Sequence, residues 1–162
     1  MRSETTHRKM GYSIVAAIIF SLWWGVPTYR KWKADRVVDE LCAKDGGSKI
    51  YEIIILPENK FNKLGMVYVR PKEYVQPSDE YYETNKITWI IPENDSFGGL
   101  DLFRSNSQIF RIKDGKLLSE HVSYIRRGGD PVGPWHPSSY TCSNKSAAYK
   151  QPFKHKQDGG IK

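Results

Sequence analysis

Apolar and polar positions divide this chain into unlike parts. From Met10 to Tyr29, MGYSIVAAIIFSLWWGVPTY, no residue is charged. A helix rises about 1.5 Å per residue, so the stretch spans about 30 Å, the hydrocarbon thickness of a bilayer. A core helix that is apolar all round needs a larger protein to bury it than 162 residues supply. A cleaved signal peptide needs a small-x-small site, and Gly25-Val26-Pro27-Thr28-Tyr29-Arg30 follows instead. The pattern therefore predicts an uncleaved transmembrane anchor over 10–29. Trp23, Trp24, Tyr29 and Trp32 at one end, and Tyr12 at the other, suit membrane interfaces. Pro27 predicts a kink or an end.

Past the anchor the period changes. Ala34, Val37, Val38, Leu41 and Cys42 recur at helical spacing, which predicts a helix over 30–44 with one buried stripe. Asp45-Gly46-Gly47 stops it, and a phosphate loop is excluded there by the missing strand-loop-helix order. Lys49–Leu56, KIYEIIIL, reads as one buried strand closed by Pro57. Met66–Arg70 reads as a second strand, 72–85 as a long loop, and Lys86–Ile91 as a third strand. The clearest hairpin covers Asp101–Arg127, turning at Asp114-Gly115. Its return strand puts Leu118, Glu120, Val122, Tyr124 and Arg126 on one face. Gly133–Cys142 carries too much Pro and Ser for a regular element and reads as an ordered loop.

Four segments follow: a polar head over 1–9, the anchor over 10–29, a domain over 30–144, and a basic, disordered tail over 145–162. The domain is expected to be α+β, with one helix packed on a mainly antiparallel sheet of four to five strands, because that arrangement buries both apolar faces.

Charge changes the picture once it is divided. The net charge of +7 splits into +5 for 1–36, −2 for 37–144 and +4 for 145–162. The folded part is slightly acidic, so a nucleic-acid groove is not expected there, and the basic flanks read as contacts to anionic headgroups. Charge does not choose a side of the membrane, since Arg2, Arg8 and Lys9 precede the anchor and Arg30, Lys31, Lys33 and Arg36 follow it. A short basic head that stays inside, and a long domain that crosses regardless of charge, favour a domain outside the cytoplasm. Cys42 and Cys142 agree with that placement. In an oxidising space they close one disulfide, and in a reducing one they are two buried thiols.

Candidate chemistry is sparse. No cysteine-histidine spacing suits a metal, and no cofactor motif is present. Arg126 and Arg127, beside Gly128-Gly129-Asp130, are candidates for clamping an anion or for pairing with Glu120 or Asp130. His121 and His136 are candidate bases without a recognisable nucleophile and orienting group, so no catalytic residue is assigned. Trp135 and His136 join the arginines as candidate partner contacts, since aromatic and Arg side chains mark interfaces.

Two stretches resemble a group of small uncharacterised bacterial membrane-anchored proteins, some encoded near mobile genetic elements. The first is Leu41-Cys42-Ala43-Lys44-Asp45-Gly46-Gly47 with Tyr51-Glu52. The second runs from Arg111 through Asp114-Gly115, Leu117-Leu118 and Glu120 to Tyr124, Arg126, Gly128-Gly129-Asp130, Gly133-Pro134, His136-Pro137-Ser138-Ser139 and Cys142. The resemblance implies a bacterial envelope protein with one cysteine in each motif end; it implies no activity.

The readings converge on a single-pass protein of a bacterial inner membrane. Its partners are the lipid bilayer and an envelope protein, met by a disulfide-tied periplasmic domain. Accessory subunits of envelope complexes and exclusion or immunity factors have this character. The alternative is a membrane-tethered hydrolase or anionic-ligand-binding enzyme using His121 or His136 with Arg126 and Arg127, on a substrate the sequence does not define.

Overall fold

A computed structural model of the chain describes residues 3–92, 99–131, 133–134, 136–142 and 149–156, with the side chains of the first helix from Tyr12 onward. Helix α1 spans Ser3–Asp45, 43 residues without a break, and is long and apolar enough to cross a membrane. Pro27 lies inside it rather than ending it. Thr28 Oγ1 donates to the carbonyl of Trp24 at 2.7 Å, adding a bond in the turn that the proline disturbs. The anchor expected over 10–29 and the helix expected over 30–44 are thus one rod. Ile14, Ile18, Phe20 and Leu22 stand exposed in its first half. Ala34, Val38 and Cys42 form the buried stripe in its second half.

That stripe lies on a six-stranded sheet. Its strands are β1 (Gly47–Ile50), β3 (Arg70–Pro71), β4 (Tyr81–Ile91), β5 (Leu100–Arg111), β6 (Leu117–Gly128) and β7 (Ser139–Thr141). The order is β1-β6-β5-β4-β3, and β7 joins β6 beyond β1. All pairs are antiparallel except β3 with β4. The α+β class therefore stands, with more strands than the sequence suggested. The Asp114-Gly115 hairpin forms, closed by Arg111 N–H donating to the Lys116 carbonyl at 2.9 Å.

Five expectations change. Met66–Arg70 is not a strand: Val67 makes a single bridge to Phe61, the Gln151 side chain takes up both its N–H and its carbonyl, and only Arg70 enters β3. Ser139–Thr141, inside the loop expected over Gly133–Cys142, forms β7 because it meets the free edge of β6 at Ile125–Arg127. Lys49–Leu56 is not one strand: β1 ends at Ile50, and β2 (Ile54–Leu56) belongs elsewhere. Strand β4 begins at Tyr81, inside the expected loop. Within the tail expected to be disordered, Phe153–His155 forms β8 and pairs in parallel with β2; the tail's other residues lie outside the described set, apart from 149–152 and Lys156. Phe153 explains the strand, since it is buried in a cluster with Leu56, Val67, Val69, Ile109 and Leu118. Burial of that ring outweighs the polar composition around it.

A second cluster lies under the helix: Val38 and Cys42 meet Leu102, Val122 and Tyr124. Of the residues expected on one face of β6, Leu118, Val122, Tyr124 and Arg126 are buried and Glu120 is half-buried.

Candidate functional site

Three places carry chemistry. The first is the junction between helix and sheet. Helix α1 runs antiparallel to β6, as its partners show in order. Lys31 Nζ meets Asp130 Oδ1 at 2.7 Å, and Arg126 Nε donates to Asp35 Oδ1 at 2.7 Å. Tyr140 OH donates to Asp39 Oδ1 at 3.0 Å, and Tyr124 OH to Asp45 Oδ1 at 2.7 Å. Cys42 is bonded to Cys142, with Cα atoms 5.7 Å apart.

Arg126 is only 1% exposed. Its Nη1 donates to the Gly128 carbonyl at 2.6 Å and to the Ser138 carbonyl at 3.1 Å. Ser138 in turn donates its N–H to Asp130 Oδ2 at 2.6 Å. Burial raises the cost of charge on Asp130, yet Lys31 and Ser138 together hold its carboxyl below the ordinary range. The arginine singled out for anion capture therefore pairs with Asp35, not Glu120, and its bonds point inward. Asp35, Lys31 and Ser138 escaped notice in the sequence. Their only signal was the spacing of Lys31, Asp35 and Asp39 along one side of the helical stripe.

The second place is the sheet face away from α1. Ser48 on β1 and His121 on β6 are paired in register, and Ser48 Oγ lies 2.9 Å from His121 Nδ1. Burial lowers the histidine pKa, against the pull of Glu83 in the other direction. Ser48 Oγ also accepts the N–H of Lys150 at 2.9 Å, and the Tyr149 ring stands edge-on to the imidazole at 5.2 Å. The group fastens 149–156 to the sheet.

The structure separates the residues of the alternative enzyme. His121 and Arg126 face opposite sides of β6, because their strand positions differ by an odd number. Arg127 shares the His121 side but sits over the Phe103 ring at 4.7 Å, near the other end of the strand. His136 is exposed, and Trp135 lies outside the described residues. Among the described residues no group of three or more acidic, cysteine or histidine side chains is placed to hold a metal ion.

The third place was hidden by reading KIYEIIIL as buried. A groove of about 770 Å³ is lined by Ile53, Ile55, Phe61, Phe153, His155 and two lysines, Lys154 and Lys156. Ile55 is 65% exposed and Leu64, close in sequence to Phe61, is 78% exposed. Phe61 stacks on His155 with centroids 3.8 Å apart. The neighbouring cluster packs on Leu118 and Ile109, at the end of the sheet far from the apolar half of α1.

No protein-family model, curated protein or solved structure matches this chain.

Proposed function

We propose that this chain is a single-pass protein of a bacterial inner membrane whose α+β domain faces the periplasm and works by contact with another envelope protein. An accessory subunit of an envelope complex, or an exclusion or immunity factor, fits this reading. The groove at the far end of the domain carries the proposal. It combines exposed apolar side chains, Ile53 and Ile55, with the ammonium groups of Lys154 and Lys156. An apolar partner segment flanked by carboxylates complements both features. The disulfide supports an oxidising compartment. The resemblance of the two motif stretches to bacterial membrane-anchored proteins agrees with it.

The test is site-directed photo-crosslinking in intact cells. A photoreactive residue at Ile55 is expected to give one discrete adduct that disappears in the Lys154→Glu/Lys156→Glu variant. The same probe at Lys63 serves as a control for chance contacts. Adducts that are diffuse, absent in every growth state, or indifferent to the charge reversal overturn the proposal. Alkylation of the cysteines in intact cells, with and without reductant, reports the compartment separately.

A further inference from the structure

One end of the sheet is held close to the apolar half of α1. The ladder runs Ile91 to Leu102 to Arg126, and Arg126 bonds Asp35. One step nearer the anchor, Leu100 pairs with Gly128, and Asp130 bonds Lys31. Asp35 stands about 9 Å up the helix from Tyr29. The headgroup layer adds about 5–8 Å beyond the hydrocarbon on each side. The row ending in Ile91 therefore lies at the outer limit of that layer. Strand β4 is two strands from β6, about 10 Å to one side. A helix tilt of about 20°, ordinary for a membrane span, brings that side lower by about 3 Å.

The side chains there are apolar and exposed. Trp89 is 42%, Ile90 45% and Ile91 39% exposed. The register slips between Trp89 and Ile91, so Ile90 is the extra residue of a bulge, which turns it away from the ladder. Trp89 stands edge-on to Phe103 at 5.0 Å, and the exposed Arg127 lies over the same Phe103 ring. Tryptophan with an adjacent exposed guanidinium is the side-chain pairing of a membrane interface.

We propose that this end of the sheet, Trp89, Ile90 and Ile91 with Arg127, rests on the headgroup layer of the same bilayer that holds α1. The surface adds a second patch, with Trp89 and Arg127 on the sheet face away from α1, to the aromatic residues Trp24, Tyr29 and Trp32 of the helix, and Arg127 pairs with lipid phosphate. The domain then has two supports, the helix and the sheet end, and stands at a fixed attitude with its far groove turned away from the lipid. The inference rests on the anchor reading of α1.

The test uses the full chain in vesicles of phosphatidylethanolamine and phosphatidylglycerol, some carrying a nitroxide on the lipid headgroup. The emission of Trp89 is the difference between the native protein and Trp89→Phe. That component is expected to lose most of its intensity to the headgroup nitroxide, and Arg127→Glu is expected to restore it. A Trp89 component untouched by the nitroxide, while the remaining tryptophans are quenched, overturns the inference and leaves the anchor standing. Quenching that Arg127→Glu does not relieve removes the guanidinium from the contact. Protein that fails to stay with the vesicles overturns both.

Discussion

Arg126 on β6 and Asp35 on α1, 91 residues apart in the chain, share a 2.7 Å bond between Nε and Oδ1 in an interior that leaves the arginine 1% exposed. The bond joins the second half of α1 to strand β6 of the sheet. Asp35→Ala strands a buried cation, and such losses cost about 3 kcal/mol. A lower urea midpoint is expected for the full chain in detergent micelles. The double variant Asp35→Leu/Arg126→Met is expected to recover most of the loss, because it removes both charges. A midpoint unchanged by Asp35→Ala would show that the pair does not brace the junction.

The Cys42–Cys142 bond closes a loop of sequence separation 100. In the chain-entropy model such a loop is worth up to about 4.7 kcal/mol, and measured values are commonly nearer 2–4. The Cys42→Ser/Cys142→Ser variant is expected to unfold at a clearly lower denaturant concentration. The native protein is expected to run faster on non-reducing gels than after reduction, and equal mobility would count against the bond.

Acid is expected to weaken the domain in two steps. Burial lowers the His121 pKa, so below about 6.5 the unfolded imidazole takes up a proton that the folded one resists. Stability declines from there until the lower folded value is passed. The bond from Asn106 lowers the Glu120 pKa, so its contribution is complete above about 4.3 and is lost as pH falls through the folded value. His121→Gln is expected to erase the upper step and keep the lower one. Urea midpoints from pH 8 to 3 measure both, and an upper step that persists in His121→Gln assigns it to another group.

Gly128 and Gly115 both have positive φ, +70° and +66°, but their surroundings differ. A Cβ on Gly128 would lie 2.0 Å from the Gly99 carbonyl oxygen, whereas at Gly115 nothing lies within 4 Å. Gly115→Ala is expected to cost only the left-handed conformation, about 1–2 kcal/mol. Gly128→Ala also forces two backbone segments apart beside Arg126 and is expected to cost several times more. Thermal unfolding of the two variants in parallel checks the order, and equal losses would remove the close approach as the cause.

Much of the architecture was legible because it rests on short-range pattern. The β5–β6 hairpin announced itself through alternation and Asp114-Gly115, and the helical stripe of Ala34, Val38 and Cys42 through its period. What stayed hidden depends on contacts distant in sequence. Tyr51 and Ile53 carry the same aromatic and β-branched signal as their neighbours, yet the chain leaves the sheet there. Both Tyr51 N–H and Glu52 N–H turn to the Leu118 carbonyl, at 2.8 and 3.3 Å. Strand β8 exists because Phe153 finds a pocket built by residues 56 to 118. Pro27 suggested a kink or an end because proline removes one helix N–H, yet the helix runs through it to Asp45. The Asp35 partnership of Arg126 left no signal beyond the spacing of Lys31, Asp35 and Asp39 on the helix, because the partner lies 91 residues away.

An unbroken α1 makes the protein a lever. From Phe20, near the middle of the apolar run, to Asp45 the rod measures about 37 Å. With the sheet clamped along its upper half, a lean of about 10° sweeps the top sideways by about 6 Å, well within the range over which membrane helices lean. A sheet end resting on the headgroup layer, as proposed above, would act as a stop against this sideways travel, so that the helix alone would not set the bearing of the groove.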